Sequence, residues 1–333
     1  MQPTTSDAFA LARARQALHK AGLPDDPSLV RASSTHNEVF VGEAYVVRVN
    51  RQPNQRLRRE ALLCRFLPQE QWAPTVIAYG GEVGADFLIV KRVHGAPLAR
   101  AWPTMSQPQR RSAISQLCLA ITKLHHTPTP VQVPRVDNQP YLIDPRCVTP
   151  LVPMLLALDD LRHKGVDRNI IDAAEDLSNA IGDAVADYDQ RQLIHGDLTF
   201  ENVLWDGVHL SGVLDFEWCR GAPVDLELDV LLRMAAYPHA HVAADLEAVT
   251  RTGDYEQIPE WLAEFQPAMF RHPRLYDRLR LYAMAFDVKD LLNSPALRID
   301  STLGPLHPLV RLHDLLTDGG YLRRMLDRIG VPV

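Results

Sequence analysis

The stretch His195-Gly-Asp-Leu-Thr-Phe-Glu-Asn202 is followed, thirteen residues after its end, by Asp215-Phe-Glu217. A short β-prone piece adjoins each segment, at residues 193–195 and 210–215. One carboxylate, an amide oxygen and a second carboxylate are therefore expected on adjoining loops. Phosphoryl transfer from a nucleotide needs such a set, because one carboxylate orients the attacking hydroxyl while hard oxygen ligands hold magnesium against the phosphates. The stretch predicts this chemistry.

Upstream of this stretch, the hydrophobic pattern predicts a small sheet with helices. An opening helix is expected over residues 7–21, because apolar residues recur there at helical spacing and Gly22-Leu23-Pro24 follows as a stop signal. The remaining predicted elements of this part are strands at 38–41, 45–49, 76–80 and 86–93 and an amphipathic helix at 55–67. We therefore expect a lobe of about five antiparallel strands and one main helix.

After Gly95 the pattern becomes mostly helical. Helical stripes cover residues 113–125, 152–163, 170–188, 227–237 and 274–292, while short β pieces at 193–195, 203–205 and 210–215 indicate a small inserted sheet. The chain is thus predicted to be α+β, with a smaller sheet-containing lobe at residues 1–94 and a larger, mostly helical lobe at residues 95–333.

The composition is that of an ordinary globular protein. The chain has 333 residues, 46% of them hydrophobic, which suffices for one large or two moderate cores. Its net charge of −6 disfavours general nucleic-acid binding. The four cysteines form no Cys-x-x-Cys pair, so no zinc site or disulfide framework is indicated. Because the N-terminus lacks the features of a secretory signal and no apolar run could span a bilayer, we expect a cytoplasmic protein without membrane association.

The segment 195–202 and the following Asp-Phe motif resemble the aminoglycoside phosphotransferase family, a branch of the protein-kinase-like fold. That resemblance covers nearly the whole chain and implies a bilobal kinase fold. On it, Asp197 would be the catalytic base, Asn202 and Asp215 the magnesium ligands, and His195 a brace for the loop. Gly196 and Glu217 stand where protein kinases generally have Arg and Gly. Both departures point away from protein substrates.

The resemblance also implies where the nucleotide binds. Arg48 stands on the strand whose basic residue, usually Lys, holds the nucleotide phosphates, and Glu60 would be its ion-pair partner. The alternative for Glu60 is a solvent-facing helix position. The backbone of Lys91 and Val93 would form the hinge that bonds the purine edge, which leaves ATP and GTP both open.

A polar hairpin at residues 33–40 would cover the phosphates. It lacks the Gly-x-Gly-x-x-Gly of protein kinases, so Ser34 and Asn37 are the candidate contacts from this segment. The same run is also typical of an ordinary hairpin turn.

The sequence predicts a kinase with an alcohol acceptor, but it has no signature for the acceptor itself. One interpretation is an enzyme that inactivates an antibiotic, such as an aminoglycoside, a macrolide or a cyclic peptide, and so confers resistance. The alternatives are a kinase of a metabolite such as an amino alcohol or sugar, and a nucleotide-binding scaffold without catalysis. The expected partners are a nucleoside triphosphate and a small molecule, and the protein would be a monomer or homodimer.

Two acidic residues beyond the magnesium motif admit structural roles. Asp225 is spaced like the N-cap of the helix predicted at 227–237. Asp229, one turn further on, could instead face the acceptor cleft.

Overall fold

A computed structural model describes residues 5–32, 34, 37–67, 72–136 and 139–333 of the chain, with the side chains of 5–7 left out. The N-terminal part begins with helix α1 and contains one antiparallel sheet of five strands in the order β1-β2-β3-β5-β4. Its elements are α1 Thr5–Lys20, β1 Val30–Ala32, β2 Asn37–Val41, β3 Tyr45–Asn50, α2 Arg56–Phe66, β4 Val76–Gly80 and β5 Phe87–Lys91.

The alternation of side chains along β3 assigns its two faces to different helices. Val47 and Val49 point into a core that includes Ala14 and Leu18 of α1. The opposite face packs against α2, where Leu57 and other apolar side chains meet β5. Arg48 lies between the two valines, so the period of two directs it toward α2.

The C-terminal part is mostly helical and contains two small antiparallel sheets, β6-β8-β9 and β10-β7. Its helices are α3 Leu98–Ala101, α4 Gln107–His125, α5 Val152–His163, α6 Arg168–Ile181, α7 Val224–Ala236, α8 Ile258–Phe265, α9 Leu275–Asn293, α10 Pro308–Asp318 and α11 Gly320–Arg328. Its strands are β6 Ala96–Pro97, β7 Leu193–Ile194, β8 Val203–Trp205, β9 Leu210–Val213 and β10 Arg220–Gly221.

The largest core belongs to this helical part, but it also takes in residues from the N-terminal part. Leu63 at the end of α2 and Trp72 after it are buried in the same cluster as Leu231 and Leu279. The two parts are therefore packed together along α2, and a boundary near residue 94 stays a prediction. Within the described residues, no helix combines the length and the apolar character that crossing a bilayer requires.

The predicted helices are present, with shifted ends. Helix α4 begins at Gln107 rather than 113, because Ser106 and Gln109 form a capping box ahead of it. Helix α7 begins at Val224 with Pro223 as its N-cap, so the predicted N-cap role of Asp225 is wrong. Asp225 instead lies in the first turn, where it is buried and paired with Arg278.

Candidate active site

A buried glutamate of α7 supports the backbone of the loop that carries Asp197. Glu227 accepts hydrogen bonds from the backbone N–H groups of His195, at 2.5 Å, and Gly196, at 3.1 Å. Because Gly196 has φ +80°, both N–H groups can converge on one carboxylate. Burial alone would raise the pKa of Glu227, but the nearby His125 side chain and the His195 backbone N–H together lower it.

His195 links this loop to the strand that leads to Asp215. Its ring is fully buried, with Nε2 2.8 Å from the Leu214 carbonyl and the ring centroid 4.9 Å from that of Phe216. Burial lowers the pKa of His195, so the ring is neutral at pH 7. These contacts support the expectation that His195 braces the loop.

Asp197 and Asn202 lie in direct contact. The Asn202 Nδ2 donates to the Asp197 carbonyl at 2.8 Å and to its carboxylate at 3.4 Å. The Asn202 carbonyl accepts from Leu214 N–H at 2.8 Å, which joins the loop to the end of β9. Burial, with added repulsion from Asp215 and Glu217, raises the pKa of Asp197 to about 7. A carboxylate in this state can accept a proton from a hydroxyl near neutral pH.

Asp215 has a strained backbone. With φ 63° and ψ 62° it is the only residue other than glycine with a positive φ among the described residues. Such conformations are costly and occur where a site requires a defined side-chain direction. Here the side chain is directed toward β3, and its Oδ1 lies 3.2 Å from a guanidinium nitrogen of Arg48.

Arg48 is surrounded by three carboxylates, one from α2 and two from the turn at 215–218. It forms an ion pair with Glu60 of α2, and Glu217 lies 3.8 Å away on the turn after Asp215. Burial alone would lower the pKa of Arg48, but Glu60, Asp215 and Glu217 together raise it. Glu60 is almost fully buried, which excludes the solvent-facing alternative.

Glu217 connects this cluster to a second arginine. Its Oε1 accepts from Arg56 Nη1 at 2.8 Å, and the guanidinium of Arg56 also lies over the Trp218 ring. Burial, together with the repulsion of Asp215, raises the pKa of Glu217 to about 7. The carboxylates of the cluster thus exceed its two arginines, and added positive charge would relieve their repulsion.

That excess fits a magnesium ion bound together with a nucleotide. The described residues hold no ready-made cluster of three or more His, Cys, Asp or Glu ligands. Mg²⁺ does not need one, because it is commonly bound by one or two side-chain oxygens, phosphate oxygens and water. The Asn202 amide and the Asp215 carboxylate carry hard oxygen atoms of this kind, and their role as magnesium ligands stays a prediction.

The predicted hinge residues lie where β5 ends. Lys91 N–H is already bonded to the Thr75 carbonyl at 2.9 Å. For Val93 N–H, no backbone hydrogen bond is present within the described residues. A purine contact at Lys91 is therefore left to its carbonyl, and one at Val93 to its N–H.

Part of the predicted phosphate hairpin lies outside the described residues, namely positions 33, 35 and 36. Of the described part, the Ser34 and Asn37 carbonyls accept from Arg51 at 3.4 and 3.5 Å, and neither residue forms a hydrogen bond with Arg48 or Asp215. Nucleotide binding by Ser34 and Asn37 stays a prediction.

A pocket of about 290 Å³ opens beside Asp197. Its charged and polar lining includes Arg233, His241, Asp290 and Arg311. Asp229 is fully buried behind it, bonded to Arg233, Tyr141 and Tyr321, so the suggestion that Asp229 faces the acceptor cleft is wrong.

Sequence reasoning missed Arg56, Glu217 and Glu227 as parts of the site. A usable signal existed for Glu227, because acidic residues inside the apolar run of α7 imply buried partners. For Arg56 no local signal existed, since its partner Glu217 lies 161 residues away in the chain.

Comparisons with known proteins identify the family of the chain and match its fold. A family model described as "Phosphotransferase enzyme family" (APH) matches residues 28–271. A search of curated protein sequences gave no match. Among solved structures, the gentamicin complex of APH(2")-IIa has a TM-score of 0.59 at 15% identity, covering 100% of this chain and 98% of that chain. A thermostable mutant of aminoglycoside phosphotransferase APH(4)-Ia with AMP-PNP and hygromycin B gives 0.57 at 15% identity, covering 98% of each chain. ADP-bound APH(2'')-Ib gives 0.56 at 16% identity, covering 95% of this chain and 98% of that chain.

Proposed function

The chain belongs to the phosphotransferase enzyme family and is a kinase, and we propose that it transfers the γ-phosphoryl group of ATP to a hydroxyl of a small-molecule acceptor. The observation that carries this proposal is the contact of Asp197 with Asn202 and of Asp215 with Arg48 in one site. ATP as donor is further supported by the fold relatives that were solved with ADP or AMP-PNP.

In this proposal Asp197 orients the acceptor hydroxyl and accepts its proton. Its carboxylate borders the pocket that would hold the acceptor, and its raised pKa suits proton transfer near pH 7. Asn202 keeps the Asp197 carboxylate in place through the hydrogen bond from Nδ2. The positioned base and a pre-formed pocket are the main contributions that the protein can make to a loose phosphoryl-transfer reaction.

Arg48 is proposed to bind the nucleotide phosphates, with Glu60 fixing its position. A guanidinium offers a fork of donors that matches phosphate oxygens, so Arg can serve where Lys is usual. Magnesium held by Asn202 and Asp215 would neutralise the phosphate charge during transfer. The Lys91 carbonyl and Val93 N–H are proposed to bind the purine edge.

The charges around the acceptor pocket do not favour one acceptor class over another. Arg233 is paired with Asp229 at 2.9 Å, and Arg311 with Asp287 and Asp290 at 2.8 Å, so both guanidinium groups that line the pocket are already neutralised. Because Asp197 and Asp290 line it as well, an acceptor with positive charge would not be repelled. The proposed acceptor is therefore an antibiotic, such as an aminoglycoside, a macrolide or a cyclic peptide, or a metabolite such as an amino alcohol or sugar.

A coupled assay of ADP release tests the proposal. The wild-type chain and Asp197→Asn would be supplied with magnesium and ATP and screened against neutral and polycationic hydroxyl compounds. Turnover with any of these acceptors that disappears in Asp197→Asn supports the proposal, and the acceptor that is turned over identifies the class. Magnesium-dependent nucleotide binding without turnover on any acceptor or water would instead favour a nucleotide-binding scaffold.

A further inference from the structure

A second and larger cavity, of about 630 Å³, lies on the other side of the segment that borders the acceptor pocket. Gln139 and Tyr141 line this cavity, whereas Pro140 between them lines the pocket beside Asp197. Neighbouring residues of one segment thus face two separate spaces. The described walls of the larger cavity come from α2, the loop segments 129–136 and 139–146, strand β10 and helix α9.

The described lining of this cavity is strongly basic. It holds five cationic side chains and a single carboxylate, and these are Arg59, Arg135, Arg146, Arg220, Lys289 and Asp144. The carboxylate is already engaged, because Asp144 Oδ1 accepts from Arg146 Nε at 2.7 Å. A chain with a net charge of −6 has thus gathered positive charge around one concave space.

Arg220 provides the most specific observation. Its Nη1 donates to the Trp218 carbonyl at 3.0 Å, and the phenol of Tyr188 is a neighbouring partner. Its Nε and Nη2 are buried beneath the surface of the cavity and form no hydrogen bond of good geometry within the described residues. Buried donors without a well-placed partner are rare in folded proteins. Because the side chain lines the cavity, an anion could satisfy these two donors if the guanidinium turned into the open space.

Two further cationic side chains that line the cavity differ in how deeply they are buried. Arg59 is buried and directs its guanidinium donors to the backbone carbonyls of Pro134, Glu217 and Cys219. Arg135 is exposed at the rim and forms no ion pair with another described residue. The cavity therefore offers fixed positive charge inside and an adaptable guanidinium at its entrance.

We propose that this cavity binds a small anion, a phosphate- or carboxylate-bearing molecule, with Arg220 as the central contact. Arginine forks match phosphate and carboxylate oxygens, and charge-assisted hydrogen bonds of this kind are among the strongest in proteins. This anion site is spatially separate from the acceptor pocket, because segment 139–141 lies between the two spaces.

The anion site is joined to the catalytic loop through Arg220. A Cβ added to Gly196 would lie 2.5 Å from Arg220 Nη1, so the guanidinium rests directly against the backbone that precedes Asp197. An anion that draws Arg220 further into the cavity would change the support of this loop. Anion binding is thus expected to alter turnover as well as stability.

Binding can be measured without turnover, so failure of the kinase assignment would not affect this test. The full chain, saturated with magnesium and AMP-PNP to fill the nucleotide site, would be titrated with inorganic phosphate, pyrophosphate and citrate at constant ionic strength. Thermal shift and calorimetry are the readouts. We expect saturable binding that weakens at least about tenfold in Arg220→Gln and by about threefold in Arg135→Gln.

Arg168→Gln is the matched control, because Arg168 is 81% exposed on α6 and does not line the cavity. Its anion affinity should equal that of the wild type. If Arg220→Gln does not fold, the anion affinity would be measured in Arg135→Gln and Lys289→Gln instead. Absence of saturable binding of all three anions, or equal affinity in the wild type and the cavity variants, would overturn the proposal.

Discussion

Arg56 of α2 donates to the Glu217 carboxylate at 2.8 Å, which ties the helix of the small lobe to the turn that follows Asp215. The same carboxylate lies 3.8 Å from Arg48. The buried Glu217 carboxylate thus lies between the guanidinium groups of Arg48 and Arg56. Glu217 is the third residue of the Asp-Phe-Glu motif, directly after Phe216. The helix and the loop cannot move independently without breaking this bridge.

Replacing Arg56 by Gln should destabilise the fold. The buried Glu217 carboxylate would lose the guanidinium that donates to it at 2.8 Å, in a cluster where carboxylates already exceed arginines. Breaking such a pair costs about 2 kcal/mol or more in the free energy of unfolding, which urea unfolding measures. Arg168→Gln, at a site whose side chain is 81% exposed, should stay within about 0.5 kcal/mol of the wild type. Equal stability of the two variants would show that the bridge between Arg56 and Glu217 is energetically neutral.

Asp197→Asn should reduce kcat by about 100-fold or more, because general-base contributions typically have this size. The nucleotide Kd should change by less than about threefold, since Asp197 borders the acceptor pocket rather than Arg48. Steady-state turnover and nucleotide titration separate the two effects. Retention of full turnover would remove Asp197 from the mechanism.

Asp215→Asn should remove most of the dependence of nucleotide affinity on magnesium. Loss of even an outer-shell partner costs about 10- to 100-fold in metal affinity, so loss of a direct ligand should cost at least as much. ATP-analogue binding would be compared with and without EDTA. Asp206→Asn, on the exposed turn between β8 and β9, should keep the wild-type dependence. If Asp215→Asn also keeps it, Asp215 does not hold the metal.

Gly196→Ala should impair both stability and turnover. The added Cβ would lie 2.5 Å from Arg220 Nη1 and 2.9 Å from the Trp218 carbonyl, in a backbone with φ +80°. Left-handed strain alone costs about 1 kcal/mol or more. Gly207→Ala has φ +110° but nothing within 4 Å, so it should show the strain without loss of turnover. Equal turnover in both variants would argue against close packing at Gly196.

The pH dependence of stability should include a contribution from His241. Its pKa is lowered to about 3 in the folded chain and is near 6.5 in the unfolded chain. Between these values the unfolded chain binds more protons, so stability is full above pH 6.5 and falls as the pH drops. His241→Asn should flatten this slope by up to about 1.4 kcal/mol per pH unit.

His163→Asn is the matched control for that experiment, because its side chain is 75% exposed. Unfolding free energies would be measured by urea titration from pH 7 to 5. An acid slope that is the same in His241→Asn and the wild type would contradict the lowered pKa of His241 in the folded chain.

The sequence predicted the fold class and the family, and both are confirmed. Local periodicity sufficed for this, because the alternation around Arg48 and the helical stripe of 152–163 are set by nearby residues. The segment 195–202 also indicated that Asp197 and Asn202 would lie together, since five residues in a tight loop leave little freedom.

Local sequence patterns could not predict the contacts that complete the site. Glu227 supports the loop from α7, and the role of Arg220 depends on its packing against Gly196. Both arrangements follow from how distant segments pack, which spacing along the chain does not encode. The ends of helices such as α4 were missed because polar capping residues, rather than the apolar stripe, determine where a helix begins.

The alignment of β3 has a consequence for how the chain tolerates insertions. The turn closed by the hydrogen bond from Gly42 N–H to the Tyr45 carbonyl sets Val39 opposite Arg48 and Arg48 opposite Leu88. If the pairing of β3 shifted by one residue, each of its side chains would point to the opposite face of the sheet. The Arg48 guanidinium would then lie against the alanines of α1. If a residue inserted in this distant surface turn shifted the register, the phosphate contact proposed for Arg48 would be lost while every residue of the catalytic loop stayed unchanged.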